Sequence, residues 1–184
     1  MAKYKKLGEV LAYKSKLVEF YEDHLELPDG TQVVYDLIKH SGGAAVLPID
    51  ENGKLVLIRQ YRNSVDMEVY EIPAGLKEAD DVSGEQCARR ELEEEVGYIT
   101  DDLEFIAEVY GAIGVSNEKT DIFLAQNLVP GKRHPDPEEF IEICRFDLDI
   151  ALQMIANKEI VDSKTVIAIL YYKMKLDNMK LDKI

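Results

Sequence analysis

The sequence predicts an α+β fold, a sandwich built around a mixed sheet, with a small three-stranded antiparallel sheet added at the N-terminus. Three observations predict it. Extended segments dominate the first two thirds of the chain; helical patterns are few and come late; and strands and helices do not alternate in the βαβα rhythm of a parallel α/β protein.

Taken in order, residues 4–39 read as three strands. "GEVLAYKS" and "KLVEFYEDHLEL" are rich in Val, Leu, Tyr and Phe with partial alternation. "PDG" at 28–30 is a turn, and "TQVVYDLIKH" follows as the third strand. A meander this thin does not stand alone, so it is expected to pack on the main domain or on a partner subunit. "GGAAVLPID" and "KLVLIRQYR" are two further strands, with the hairpin signal "ENG" at 51–53 between them. "VYEIPAG" reads as a short strand ending in a turn. The best-marked helix comes next. Ser83 is its N-cap, Gln86 stands at the capping-box position, Gly97 terminates it, and Ala88, Leu92 and Val96 form its buried stripe. "LEFIAEVYGAI", "TDIFLAQNL" and "EFIEICRFDL" are expected strands, and "DIALQMIANK" and "SKTVIAILYYKMKL" the closing helices. The expected division is an N-terminal β subdomain over 1–40 and a main domain over 41–184.

Composition narrows the function. The chain has 184 residues and a formal net charge of −14, which argues against nucleic acid, whose phosphates need clustered Lys and Arg. No apolar run is long enough to cross a membrane, and "MAKYKKLGEV" has no apolar stretch behind its basic residues, so no secretory leader is expected. Cys87 and Cys144 suggest no disulfide framework and fit reduced thiols in a cytoplasmic protein. His24, His40 and His134 are isolated and read as structural.

The stretch "EIPAGLKEADDVSGEQCARRELEEEVGY" poses the chemical question, because it crowds carboxylates at spacings where like charges repel. On a helical wheel Glu91 and Glu95 lie one turn apart on one face, Glu94 lies beside Glu91, and that flank borders the buried stripe. Glu93 points elsewhere, into solvent. Two glutamates at i,i+4 and a backbone carbonyl from the "PAG" turn make a half-shell of oxygen ligands suited to Mg²⁺. A charged, solvated helix with Arg–Glu pairs has the same spacing, so the helix alone does not decide.

The whole stretch resembles the signature of the Nudix hydrolases, G-x5-E-x7-R-E-U-x-E-E-x-G-U with U a bulky aliphatic or similar residue. "RELEEEVGY", Arg90 to Tyr98, matches its second half at every fixed position, and Gly75 supplies the opening glycine. Gly75 and Arg90 are one residue further apart than the signature sets them, so Val82 falls where its first glutamate belongs. A one-residue insertion in the loop would leave Asp81, Asp80 or Glu78 to stand in, as partner of the box arginine. Beyond the box the chain is most similar to the ADP-ribose pyrophosphatase branch, through "VYDLIKHSGGAAVLPI", "LIRQYR", "EIPAG", "GVSNEKTDIFLA" and "EEFIEI" in that order.

The resemblance implies an α/β/α Nudix sandwich, a homodimer formed through the N-terminal sheet, and Mg²⁺ (or Mn²⁺) as cofactor. It implies that Glu91 and Glu95 bind the metal with help from Glu94 and the carbonyl of Ala74, and that Arg90 braces the loop. Arg62 would hold a substrate phosphate, Tyr35 would stack on the base and Asp36 would accept from its amino group. Glu139 matches the loop acid that activates water, with Glu138 and Glu142 as rivals. Ile113, in "GAIGVSNE", stands where ADP-ribose enzymes carry proline, which opens other nucleoside diphosphate sugars as substrates. The expected chemistry is hydrolysis of the pyrophosphate to a nucleoside monophosphate and a sugar phosphate. Without metal, mutual repulsion should raise the pKa of one or more glutamates. The alternatives are a non-catalytic ligand-sensing module, disfavoured by the retained Glu91, Glu94 and Glu95, and an enzyme of nucleoside triphosphates or dinucleoside polyphosphates.

Overall fold

The computed structural model describes residues 3–15 and 18–181, and of Lys180 and Leu181 the backbone only. Lys16 and Leu17, which open the second expected strand, lie outside the described residues. The chain forms two compact units, one of Met1–Gly42 with Tyr110–Lys119, the other of Gly43–Val109 with Thr120–Ile184.

In the first unit, β1 (Lys5–Lys14), β2 (Glu19–Glu26) and β3 (Gln32–Lys39) form an antiparallel sheet in the order β1-β2-β3. The turn between β2 and β3 follows from its residues. Gly30 takes φ 87°, and Asp29 Oδ1 accepts the Thr31 N–H at 2.9 Å. Segment 110–119 is held to the end of β3, where the Ile38 N–H donates to the Val115 carbonyl at 2.7 Å and Ile38 bridges Ser116 in parallel. Val10, Tyr13, Val34 and Tyr35 of this sheet are at least half exposed.

The second unit is an α/β/α sandwich. β4 (Gly43–Pro48) is buried along its whole length, as a strand covered on both faces must be. It runs parallel to β10 (Lys119–Gln126) and antiparallel to β7 (Ala74–Leu76), in a sheet ordered β7-β4-β10-β9 with β9 at Asp102–Tyr110. A second sheet, β12-β5-β6, is antiparallel and comprises β5 (Leu55–Arg62), β6 (Met67–Glu71) and β12 (Glu142–Phe146). A short ladder pairs β8 (Tyr98–Ile99) with β11 (Val129–Pro130).

Strand alternation sorts the core into two layers. Ala45, Leu47, Leu55, Leu57, Ile122 and Leu124 share one cluster with Ala151 and Met154 of α2 (Leu148–Ala156) and Ala168, Ile169 and Tyr172 of α3 (Ser163–Leu181). Their neighbours Ala44, Val46, Val56, Ile58, Phe123 and Ala125 pack against Cys87, Ala88, Leu92 and Val96 of α1 (Gly84–Val96). α1 is therefore fixed by its apolar stripe, and truncating fully buried Leu92 to Ala should cost about 2–5 kcal/mol.

One expectation needs correction. "VYEIPAG" opens as the expected short strand, β6, which ends at Glu71 in one sheet, but the residues expected as a turn begin β7 at Ala74 in the other. Pro73, which has no N–H to give a ladder, marks the crossing. The backbone there is satisfied from both sides: Ile72 N–H donates to Thr165 Oγ1 at 2.8 Å, and the Pro73 carbonyl accepts the Val46 N–H at 2.9 Å. That crossing carries the Pro-Ala-Gly turn beneath α1.

Candidate active site

The helix ends are set by the residues the sequence singled out. Ser83 Oγ accepts the Gln86 N–H at 3.2 Å, while Gln86 Oε1 reaches back one residue further than a standard capping box, to the Val82 N–H at 3.1 Å. Gly97 closes the helix at φ 73° and donates to the Glu93 carbonyl at 2.9 Å. With both ends fixed and the stripe packed, Glu91 and Glu95 fall on the edge of the helix facing the turn after β6.

Both are buried, Glu95 to 1 % exposure. Its Oε2 accepts the Ala74 N–H at 3.0 Å. Glu91 lies flat against Gly75, where an added Cβ would stand only 1.9 Å from its Oε1. The opening glycine of the signature is thus the residue that lets this carboxylate in. Burial, more than neighbouring charge, pushes Glu91 up to about 7 and Glu95 up to about 9. Repulsion among the carboxylates raises both as well, as expected without a metal, while desolvation is the larger cause.

Arg90 binds the cluster together. One terminal nitrogen donates to Glu91 Oε1 at 2.7 Å and Glu94 Oε2 at 2.8 Å; the other donates to the Leu76 carbonyl at 2.9 Å and Asp81 Oδ2 at 3.0 Å. Of the three loop acids left open, Asp81 is the one that bonds Arg90, whereas Glu78 stands off at 3.9 Å. Burial works against both charges, yet their pairing wins: Asp81 is held below its ordinary pKa and Arg90 above its own.

Glu93 is not free in solvent. It is half-buried, and its Oε1 accepts the Lys132 N–H at 3.0 Å. Glu139 lies on the loop before β12, where its Oε2 accepts the Asp136 N–H at 3.1 Å; its charge raises the pKa of both Glu91 and Glu95. Glu142 is committed elsewhere, paired across the sheet with Arg59.

Arg62, at the end of β5, makes a two-pronged contact with Glu71, Nε to Oε1 at 2.6 Å and Nη2 to Oε2 at 2.9 Å. Lys164 donates to the same carboxylate at 2.6 Å. Glu71 and Lys164 escaped the sequence reading; the only signal was the place of Glu71 in "EIPAG". The second unit therefore brings together Arg62, Ala74, Arg90, Glu91, Glu94 and Glu95. The first unit carries Tyr35 and Asp36 on β3 and Ile113 in segment 110–119, all exposed. As successive strand residues, Tyr35 and Asp36 face opposite sides of the sheet.

A NUDIX domain model matches residues 39–167. The chain belongs to the Nudix family. It is 34% identical over 173 residues to an ADP-ribose pyrophosphatase of Bacillus subtilis (strain 168), with 93% of each chain covered. It is 34% identical over 168 residues to a methanol dehydrogenase activator of Bacillus methanolicus, covering 89% of each. A GDP-mannose pyrophosphatase of Yersinia enterocolitica is 32% identical over 155 residues, covering 78% of this chain and 80% of that one. Among solved structures, one titled as an ADP compounds hydrolase shares the fold, with a TM-score of 0.85, 24% identity and 96% of both chains covered. No helix of the described residues is long and apolar enough to cross a membrane.

Nudix enzymes generally need divalent metal ions. Among the described residues no three His, Cys, Asp or Glu side chains stand grouped as a finished metal shell. The Arg90 guanidinium holds Glu91 and Glu94. The donor set nevertheless fits a hard cation. It consists of oxygens only, carboxylates and the Ala74 carbonyl, with two of the carboxylates on buried side chains one helical turn apart, cradled where a Cβ at position 75 would intrude.

Proposed function

We propose that this Nudix protein hydrolyses ADP-ribose or a related nucleoside diphosphate sugar to a nucleoside monophosphate and a sugar phosphate, with Mg²⁺ (or Mn²⁺) as cofactor. The observation that carries the proposal is the pair of buried carboxylates, Glu91 and Glu95, set against Ala74 and Gly75 at the start of β7. Glu91, Glu95, Glu94 and the Ala74 carbonyl would hold the cation. When bound, it neutralises phosphate charge and makes water a better nucleophile.

The rest of the work falls to the chain. Arg62, anchored on Glu71, offers its guanidinium to a substrate phosphate. Arg90, bonded to Asp81, keeps the loop and the carboxylates of Glu91 and Glu94 in place. Glu139 accepts the proton of the attacking water as its oxygen bonds to one phosphorus, and the bridging oxygen leaves with the other phosphate. Tyr35 stacks on the base. Asp36, its neighbour on β3, accepts from the amino group of the base. Ile113, standing where ADP-ribose enzymes carry proline, bears on which nucleoside diphosphate sugar is accepted.

We read residues 1–40 as the dimerisation element and 41–184 as the Nudix domain, in a cytoplasmic homodimer. The half-exposed Val10, Tyr13 and Val34 and the free thiols of Cys87 and Cys144 support this reading.

Turnover on ADP-ribose, UDP-glucose, GDP-mannose, diadenosine polyphosphate and ATP, with and without Mg²⁺, tests the proposal. Cation-dependent cleavage of a nucleotide sugar is expected. Tight ADP-ribose binding without turnover of any compound would replace it with the sensing reading.

A further inference from the structure

The segment after β11 lies across the C-terminal end of α1 and takes up carbonyls that a helix end leaves without partners. The Gly131 N–H donates to the Gly97 carbonyl at 2.8 Å and the His134 N–H to the Glu94 carbonyl at 3.0 Å. Between them, Arg133 does something different with its side chain. Its Nε donates to the Glu95 carbonyl at 2.7 Å, and its Nη2 donates to the Ile141 carbonyl at 2.9 Å.

These two acceptors belong to the two halves of the site. Glu95 carries a buried carboxylate of the proposed cation site, and Ile141 lies two residues beyond Glu139. The chain between Arg133 and Ile141 is the loop that bears Glu139, tied besides by the His134 N–H at its start and by its own Asp136–Glu139 turn. One guanidinium thus closes this loop at its base and fastens it to the last turn of α1. A planar fork with donors in fixed directions suits two carbonyls at once; a lysine ammonium is a single point donor. Gly97 leaves room for it, since a Cβ there would stand 3.1 Å from Arg133 Cβ.

We infer that Arg133 is a positioning residue for the reaction: it sets the distance between the Glu139 carboxylate and the Glu91–Glu95 pair by clamping the Glu139 loop to the end of α1. The inference rests on the assignment of Glu139 as proton acceptor. The clamp's contribution to the fold is modest, because Arg133 is solvent-exposed and its bond to Ile141 lies in solvent, so that only the half-buried bond to the Glu95 carbonyl costs stability when it is lost.

The test is a double-mutant cycle of R133Q and E139Q in the full chain, with Mg²⁺ and the best substrate of the panel, reading kcat, KM, the pH profile of kcat and the Tm. R133Q should lower kcat about 10- to 100-fold, the cost of a misplaced catalytic group, with KM within about threefold. Tm should fall by no more than a few degrees. R133K should recover only part of kcat. In the E139Q background R133Q should cost almost nothing more, because the group it positions is already gone. Equal losses from R133Q in both backgrounds, or wild-type kcat in R133Q, overturn the clamp. Wild-type kcat in E139Q instead removes the Glu139 assignment, and the clamp's purpose with it. An R133Q protein that fails to fold, with R133K fully active, also overturns it, since the role is then structural.

Discussion

Replacing Gly75 by Ala isolates the position of one carboxylate from everything else in the fold. The backbone at 75 is not left-handed, so alanine is tolerated there, and the loss of a glycine stiffens the unfolded chain by about 0.4–1 kcal/mol in favour of folding. The new Cβ would stand 1.9 Å from Glu91 Oε1, 2.3 Å from its Cδ and 2.8 Å from Oε2. Separations under 3.0 Å essentially do not occur, so the carboxylate must retreat by more than an ångström. It then loses the 2.7 Å bond from Arg90, a charge-assisted contact of about 1.5–3 kcal/mol. These opposing terms leave a net destabilisation of about 1–2 kcal/mol, a few degrees in Tm. Catalysis should suffer more, since an ångström of displacement in a working group costs about 100-fold, or about 2.7 kcal/mol in the barrier. The assay is kcat/KM at saturating Mg²⁺ beside a thermal melt of the same preparation. Wild-type turnover in a folded G75A protein would refute the claim that Glu91 acts from this cradle, and so would a loss of activity explained entirely by unfolding.

Three further outcomes follow from the same geometry. E95Q keeps an acceptor for the Ala74 N–H and removes a carboxyl that burial pushes up to about 9, so without divalent ions at pH 7 it should melt higher than the wild type, while kcat falls by several orders of magnitude; undiminished turnover would remove Glu95 from the cation site. Glu71 is buried, which alone would raise its pKa, but the bonds from Arg62 and Lys164 outweigh burial and hold it below its ordinary 4.5. A lowered carboxyl stabilises the fold above the unfolded pKa and loses that contribution as pH falls through the folded one, so E71Q should be less stable than wild type by about 3 kcal/mol at pH 7. The gap should close in melts taken progressively below about pH 4.5, and a constant gap would exclude the ion pair as its cause. Sedimentation at micromolar concentration should give a dimer, and a monomer would end the reading of the N-terminal sheet as a dimerisation element.

The architecture was legible wherever one local rule governed it. The β2–β3 turn follows from Asp29 and Gly30, α1 from Ser83, Gly97 and its apolar stripe, and the central strand from the run of apolar residues at 43–48. What stayed hidden depends on contacts between segments far apart in sequence. Pro73 marks a break in the strand, but nothing local says that the chain changes sheets there, because the partners that satisfy the backbone are Val46 and Thr165. Spacing left three acids equal as partner of Arg90, and only the loop's folded path selects Asp81. Arg133 has backbone carbonyls as partners, and carbonyls have no identity that a sequence can display.

The crowding of glutamates on α1 makes sense once charges are counted against partners. One guanidinium, Arg90, serves Asp81, Glu91 and Glu94, and Glu95 has a single backbone N–H. Nothing in that arrangement optimises stability, since a buried carboxylate without a full counter-charge costs more than an apolar side chain of the same shape. The other side of α1 tolerates the cost because Cys87, Ala88, Leu92 and Val96 are locked into the core independently of it. Helix position and carboxylate charge are thereby decoupled. A ligand that supplies positive charge should consolidate the carboxylates without moving the helix, and a variant such as E95Q should lose the chemistry while leaving the sandwich intact.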